Sequence, residues 1–269
     1  MKPLVSGMVS QLIQKILSRK IEIFSLIAAA LIWEFVAVVI VQNNFFLPSF
    51  HSVVSAFFNV IQSSYFYSDA GTSLYHFLIG FFYALLIGIP IGIAMGWFPL
   101  ADKALSPIVE IFRPIPPLAW IPFAIIWFKL THGASGFIIF MGMVFPIIVS
   151  TYSGFKNIPK IYVEAAKVLG SESNSRLIRN IAVPAALPMV LSGIRTAMGV
   201  GWMCLAASEM FGVSDSGIGY KIWFYYGIQT MDYVVVYMLI LGFIGLLLDW
   251  LFRHFLMNRA LKWQKGTVI

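Results

Sequence analysis

The chain reads as an all-α integral membrane protein with six transmembrane helices and both termini cytoplasmic. Three observations predict this. The composition is 60% hydrophobic and only 11% charged, with a mean hydropathy of +0.88, whereas soluble domains carry about 25% charge. The apolar residues gather into runs of about twenty, enough to cross a hydrocarbon core as helices at about 1.5 Å per residue. The basic residues lie between those runs, and almost all on one side.

The spans fall near 21–41, 73–98, 115–130, 134–154, 186–211 and 232–252. The third is short and begins in the proline-rich run Pro114-Ile115-Pro116-Pro117. Six spans return the chain to its starting side. Cytoplasmic loops retain Lys and Arg, and fifteen of the 18 such residues lie in four segments that six spans bring to one face. These are the N-terminal tail (Lys2, Lys15, Arg19, Lys20), 99–114 (Lys103, Arg113), 155–185 (Lys156, Lys160, Lys167, Arg176, Arg179) and the C-terminal tail (Arg253, Arg259, Lys262, Lys265). Only Lys129 and Lys221 fall opposite, and Arg195 sits within a span. The net charge of +7 is therefore a topology signal and not the clustered patch that nucleic acid would require. The first apolar run lacks a small-residue cleavage site, so it reads as a retained span rather than a signal peptide.

Between the first two spans, Leu47 to Ser64 alternates apolar and small polar residues, with Val53, Phe57, Val60 and Ile61 on one stripe. That predicts a short helix on the outer membrane surface, with a plain extracellular loop as the alternative. His51 and His76 read as interfacial residues, because no further ligand stands at metal spacing. In the second span Gly88, Gly92 and Gly96 make a groove for a neighbouring helix, and Pro90 permits a kink, for static packing or for gating. The single cysteine, Cys204, lies in an apolar run, which excludes a disulfide framework and a metal cluster.

The segment 155–185 is a polar, basic island carrying Glu164-Ala165-Ala166-Lys167-Val168-Leu169-Gly170 and then Ile181-Ala182-Val183-Pro184. After Pro159, residues 162–169 suit two helical turns in which Ala165 and Ala166 keep one face thin, fit to seat in a cleft of a partner. Gly170 lets the chain turn away. Glu164, near the helix start, is favoured by the exposed amides there. A solvated loop helix with alanines chosen for propensity is the alternative.

In the fifth span Ser192, Arg195, Gly199, Trp202, Ala206 and Glu209 form a small and polar stripe, read as the face toward a dimer axis and a solute pathway. An intramembrane charge costs about 2.5–3.5 kcal/mol at a helix centre, so Arg195 and Glu209 each need a partner or water. They lie about 21 Å apart along one helix and cannot pair with each other. Arg195 either snorkels or assists an anion, and Glu209 is either a boundary carboxylate paired with a loop residue or part of a gate. Asp249 and Arg253, at i and i+4, read as a structural ion pair.

The Glu164 phrase resembles the EAA loop of ABC-importer permeases. In that loop Glu-Ala-Ala, a Gly six residues after the Glu and an Ile-x-Leu-Pro-like end form a cytoplasmic coupling helix. Here Val183 takes the Leu place, and the interval from Gly170 to Pro184 is one residue longer than the commonest form. Phe112-Arg113-Pro114-Ile115-Pro116-Pro117-Leu118-Ala119-Trp120-Ile121-Pro122 with Trp127-Phe128, and Gly193-Ile194-Arg195 through Trp202 to Ala207-Ser208-Glu209-Met210, are similar to the permeases of the nitrate/sulfonate/taurine/bicarbonate importer group. So are Trp33-Glu34 and Leu47-Pro48-Ser49.

This resemblance covers roughly 30–255. It implies a type I ABC importer permease fold with a core over 66–256, preceded by a tail, first span and external helix over 1–65 and followed by a basic cytoplasmic tail over 257–269. It implies a cell-membrane permease homodimer, two ATP-binding subunits on the cytoplasmic side and a separate extracytoplasmic substrate-binding protein. Coupling to the ATPase would fall to Glu164, Ala165, Ala166, Gly170 and Pro184, and the pathway for a small anion to Arg195, Trp202 and Glu209.

The chain contains no G-x-x-x-x-G-K-[ST] phosphate cradle. ATP and Mg are therefore expected on the partner subunit, with no cofactor, metal or catalytic residue in this chain. A stand-alone secondary transporter or channel is the alternative, but such transporters usually show two internal halves, and none is visible here. A membrane enzyme would need a cluster of nucleophile, base or metal ligands that the sequence does not offer.

Overall fold

The helices run further than hydropathy alone indicates. The computed structural model describes residues 21, 23–171 and 173–260, and all regular structure among them is helical. The elements are α1 (Ile23–Val41), α2 (Phe50–Gln62), α3 (Ser64–Trp97), α4 (Pro99–Phe112), α5 (Pro117–Phe128, opening as a 3-10 turn), α6 (His132–Lys156), α7 (Lys160–Val168), α8 (Asn174–Met210), α9 (Ile218–Gly227) and α10 (Met231–Leu256). Five of them, α1, α3, α6, α8 and α10, are long and apolar enough to cross a membrane, and α4 with α5, bent between them, bring the number to six where the pair is counted as one span.

The described residues divide into two compact units. One comprises the chain up to Ser63 together with Tyr225–Val236; the other comprises Ser64–Phe224 with the chain from Tyr237 onward.

In the first unit, Trp33 Nε1 donates to Pro48 O at 3.0 Å, and Glu34 Oε1 lies 2.8 Å from His51 Nδ1. These contacts tie the two short phrases Trp33-Glu34 and Leu47-Pro48-Ser49 together. Ser49 caps α2, accepting from the Ser52 N–H. The buried residues of α2 are Val53, Ala56 and Val60, whereas Phe57, which the sequence pattern puts on the same stripe, is 38% exposed. In this unit Asn59 Nδ2 also donates to Tyr233 Oη.

The second unit is built on α3, α6 and α8, whose facing sides bury Phe77, Ala84, Met143, Ile147, Ala197 and Leu205. With no hydrophobic drive between helices in lipid, small residues that permit close approach decide such contacts. The stripe on α3 is Gly80-Ala84-Gly88-Gly92-Gly96, extending two turns before the three glycines that the sequence pattern marks. A Cβ added at Gly92 would lie 2.5 Å from Thr151 Cβ, and one at Gly96 the same distance from Phe155 Cβ. The α3 glycines are thus packing contacts with α6.

Two boundaries differ from expectation. α3 starts at Ser64 rather than 73, because Ser64, Ser68, Asp69 and Thr72 lower local hydropathy without breaking the helix. Where a third span is expected at 115–130 the chain forms two helices, α4 and α5, that meet at 87°, and the expected range covers only the second. Asp102, Lys103 and Glu110 give α4 the composition of a loop. Asp102 is satisfied laterally by Ser106 Oγ at 2.7 Å, Tyr152 Oη at 3.2 Å and Lys156 Nζ. Prolines 114, 116 and 117 supply no backbone donors and mark the break.

α8 also begins earlier than expected, at Asn174 rather than 186, and runs through Pro184 and Pro188 without interruption. Its start includes a π turn, Ile178–Ala182, closed by Val183 N–H on Ile178 O. Pro184 therefore lies inside a helix and does not end one.

Candidate functional site

Three groups of side chains in the second unit hold the residues that the sequence singles out, or supply the partners it does not reveal. The first is α7. Pro159 leads into it with extended ψ, and nine residues later it closes in a Schellman motif. Gly170 N–H bonds Lys167 O at 3.0 Å, Ser171 N–H bonds Ala166 O at 2.9 Å, and Gly170 takes φ +86°. That conformation disfavours any residue with a Cβ. Ala166 is buried, and Ala165 is exposed beside it. Ala165, Ala166 and Pro184 line one groove of about 740 Å³ with Tyr162, Leu169 and Ile181.

Glu164 is exposed and lies at the fifth helical position, past the first turn, so the helix-start amides do not reach it. Around it stand apolar side chains in the open: Ile161 is 67% exposed, Val168 88% and Leu169 87%.

The second group sits where α8 ends. Glu209 is completely buried and takes three donors: Ser73 Oγ at 2.8 and 2.9 Å to its two oxygens, His76 Nδ1 at 2.8 Å, and Gly219 N–H at 2.8 Å. Ser73 Oγ in turn accepts from Ile218 N–H at 2.8 Å. His76 Nε2 meets His132 Nδ1 at 2.8 Å, so the network runs from a buried carboxylate to an exposed imidazole. Asp69 adds Gly217 N–H at 3.3 Å and Lys221 Nζ at 3.6 Å. The Glu209 carboxylate binds the 217–219 segment back onto α3, and a buried network of this kind is costly when any member is lost.

His76 is therefore wholly buried and not interfacial, while His51 is exposed. The residues that join Glu209 lie 133 and 136 positions away in sequence, and no local spacing announces them.

The third group lies along α8. Its stripe does not present one uniform face. Ser192, Arg195 and Gly199 are exposed, Ala206 is half-buried, and Trp202 and Glu209 are buried. Trp202 Nε1 donates to Leu241 O at 3.0 Å, and its ring meets Phe77 edge-on at 5.4 Å. Arg195 binds Asp249 through both Nε, at 2.6 Å, and an Nη, at 2.9 Å. This fork is the strong bidentate form of the Arg–carboxylate pair. It replaces the Asp249–Arg253 pair expected from i,i+4 spacing, because the α8 guanidinium reaches both carboxylate oxygens at once. Arg195, Trp202 and Asp249 border a cavity of about 220 Å³. No group of three or more metal-ligating side chains occurs among the described residues.

Comparison with known proteins fits this arrangement. Residues 88–257 match the family described as binding-protein-dependent transport system inner membrane component. A Methanocaldococcus jannaschii protein named as a candidate ABC transporter permease is 36% identical over 241 residues, covering 88% of this chain and 89% of its own. The bicarbonate transport system permease protein CmpB of Synechocystis is 37% identical over 170 residues (63% and 60% of the two chains). The taurine transport system permease protein TauC of Escherichia coli is 30% identical over 238 residues (87% and 86%).

Among solved structures, an inward-facing MetNI methionine ABC transporter superposes with a TM-score of 0.54 at 22% identity, covering 68% of this chain and 92% of that one. That likeness concerns the fold. The chain belongs to the family of binding-protein-dependent transport inner membrane components, and is a multi-pass permease subunit of an ABC importer.

Proposed function

We propose that this chain forms half of a permease dimer that carries a small anion of the nitrate, sulfonate, taurine or bicarbonate type. An extracytoplasmic binding protein delivers the solute, and two separate subunits hydrolyse MgATP on the cytoplasmic side. The observation that carries the coupling reading is the tip at α7, where Val168 and Leu169 stand almost fully exposed beside a glycine fixed at φ +86°. Apolar side chains held in the open by a rigid cap suit a partner's cleft. Glu164 stands among them, able to meet a basic residue of the ATPase; Ala165, Ala166 and Pro184 line the groove behind, and Gly170 sets the exit. The anion reading is supported by relatives named for bicarbonate and taurine. The pathway follows the exposed part of the α8 stripe past Arg195, with Trp202 and Glu209 closing its far end.

Co-purification of ATPase subunits with the tagged chain, followed by ATP-dependent uptake of labelled bicarbonate, nitrate and taurine into proteoliposomes containing the binding protein, tests this. Retained ATPase binding by a chain lacking residues 160–170 would remove the coupling role. Sidedness is checked by thiol labelling in a Cys204→Ser background. Cysteines at Ser55 and Asp215 are expected to react from outside, and cysteines at Lys103 and Lys167 only from inside.

A further inference from the structure

Arg195 and Arg113 each border a cavity, and their surroundings differ. The Arg195 fork is filled by Asp249. Arg113 stands at the break between α4 and α5, with no carboxylate within 4.0 Å among the described residues. It borders a cavity of about 390 Å³ whose other walls include Gly142, Pro146 and Ser150 from α6 and Thr196 and Val200 from α8.

Those residues lie midway along α6 and α8. Arg113, itself exposed, thus opens onto side chains from the middle of the bundle, although charge counting groups it with the loop residues. Irregular backbone at that depth is tolerated where it is covered by protein or lines a water-filled space. An ionisable group there marks a substrate or ion path.

The polar inventory of the cavity selects the sign of its ligand. Among the described residues its only charged wall is positive, and no aspartate or glutamate lines it. The adjacent Pro114, Pro116 and Pro117 contribute no N–H. Ser150 Oγ makes no hydrogen bond among the described residues, whereas Thr196 Oγ1 is already donating to Ser192 O at 3.1 Å. Gly193 brings α8 onto Ser150 with no side chain between them. The donors that remain free are the guanidinium and the serine hydroxyl.

We infer that Arg113 and Ser150 form a mid-membrane subsite for a small oxyanion, a second polar station distinct from the Arg195–Asp249 pair. The planar fork of Arg113 receives two oxygens of one anion side by side, and the Ser150 hydroxyl donates to another. Bicarbonate, nitrate and a sulfonate headgroup all present oxygens in that manner. The inference rests on the anion reading above and adds to it the residues that hold the anion within this chain.

The test uses the assembled complex with its ATPase subunits and binding protein in proteoliposomes, supplied separately with labelled bicarbonate, nitrate and taurine. For whichever anion the wild type carries, Arg113→Gln is expected to lower uptake about tenfold or more, the scale of losing a charged hydrogen-bond pair. Arg113→Lys, which keeps the charge and loses the fork, is expected to fall between, and Ser150→Ala to lose less than Arg113→Gln.

Charge restoration guards against a merely structural effect. In a Cys204→Ser background, Arg113→Cys is expected to regain uptake after reaction with 2-aminoethyl methanethiosulfonate and not after reaction with neutral methyl methanethiosulfonate. Wild-type uptake by Arg113→Gln, or equal rescue by both reagents, would overturn the subsite and leave the anion reading standing. A wild-type complex that carries none of the three anions would overturn both.

Discussion

At the end of α8, a carboxylate with no exposed surface holds three donors and ties a loop to α3. At the start of the same helix, around α7, Ile161, Val168 and Leu169 stand from 67% to 88% exposed. The first region hides polar groups inside the bundle, and the second displays apolar groups outside it. In the first, the carboxylate is answered by donors of this chain. In the second, the surface is left for something else to cover. Damage to the first region is therefore expected to appear as lost stability, and damage to the second as lost communication with intact stability.

Glu209→Ala breaks the comparison at its strongest point. It strands Ser73, His76 and the Gly219 amide together, and each buried polar group left without its partner costs about 1–3 kcal/mol. A large fall in melting temperature in detergent is expected, and an unchanged melting temperature would show that the network does not hold this end closed. Glu209→Gln, which keeps an acceptor, is expected to cost less.

Gly92→Val is next, since its side chain would collide with Thr151 across the α3–α6 contact. Overpacking of this kind costs about 1–3 kcal/mol. Gly71→Val in the same helix is the control, because nothing lies within 4 Å of the added Cβ. Equal melting temperatures for the two variants would refute the packing role of the α3 stripe.

Gly170→Val forces a branched residue into left-handed backbone at a local cost of about 1–2 kcal/mol. The bundle is expected to melt almost as before while ATP-driven uptake is lost, and Gly170→Asn is expected to retain part of it. The smallest effect on stability belongs to Leu169→Glu, within about 0.5 kcal/mol for an exposed position, combined with weakened capture of ATPase subunits. If Leu169→Glu instead unfolds the chain, the contrast between the two regions disappears.

Much of this arrangement is legible in the sequence, and the exceptions share a cause. Hydropathy runs locate the spans, and Pro159, the alanines and Gly170 mark α7 and its exit, because those signals are local. Glu209 can be recognised as needing a partner, but its partners Ser73 and His76 come from a helix more than a hundred residues earlier. Asp249 has a plausible neighbour at Arg253 and pairs with Arg195, 54 residues away, because bidentate geometry outweighs sequence proximity. Arg113 counts with the loop residues by charge and stands at the α4–α5 break in the structure, and a charge beside prolines has the same composition in a surface loop and at a break inside a bundle. Hydropathy cannot separate those two settings.

A turn closed by Val183 N–H on Ile178 O encloses one residue more than an α turn. Ile178–Ala182 can thus house the residue by which the Gly170-to-Pro184 interval exceeds the commonest form of the motif. Absorbed in a single turn, an insertion leaves the downstream helix in phase, so that the bearings of Arg195, Trp202 and Glu209 are preserved. The same insertion placed after Pro188 would rotate all three by about 100° relative to the start of the helix. The π turn acts as an expansion joint, letting the segment before it vary in length without altering how the rest of α8 is aimed.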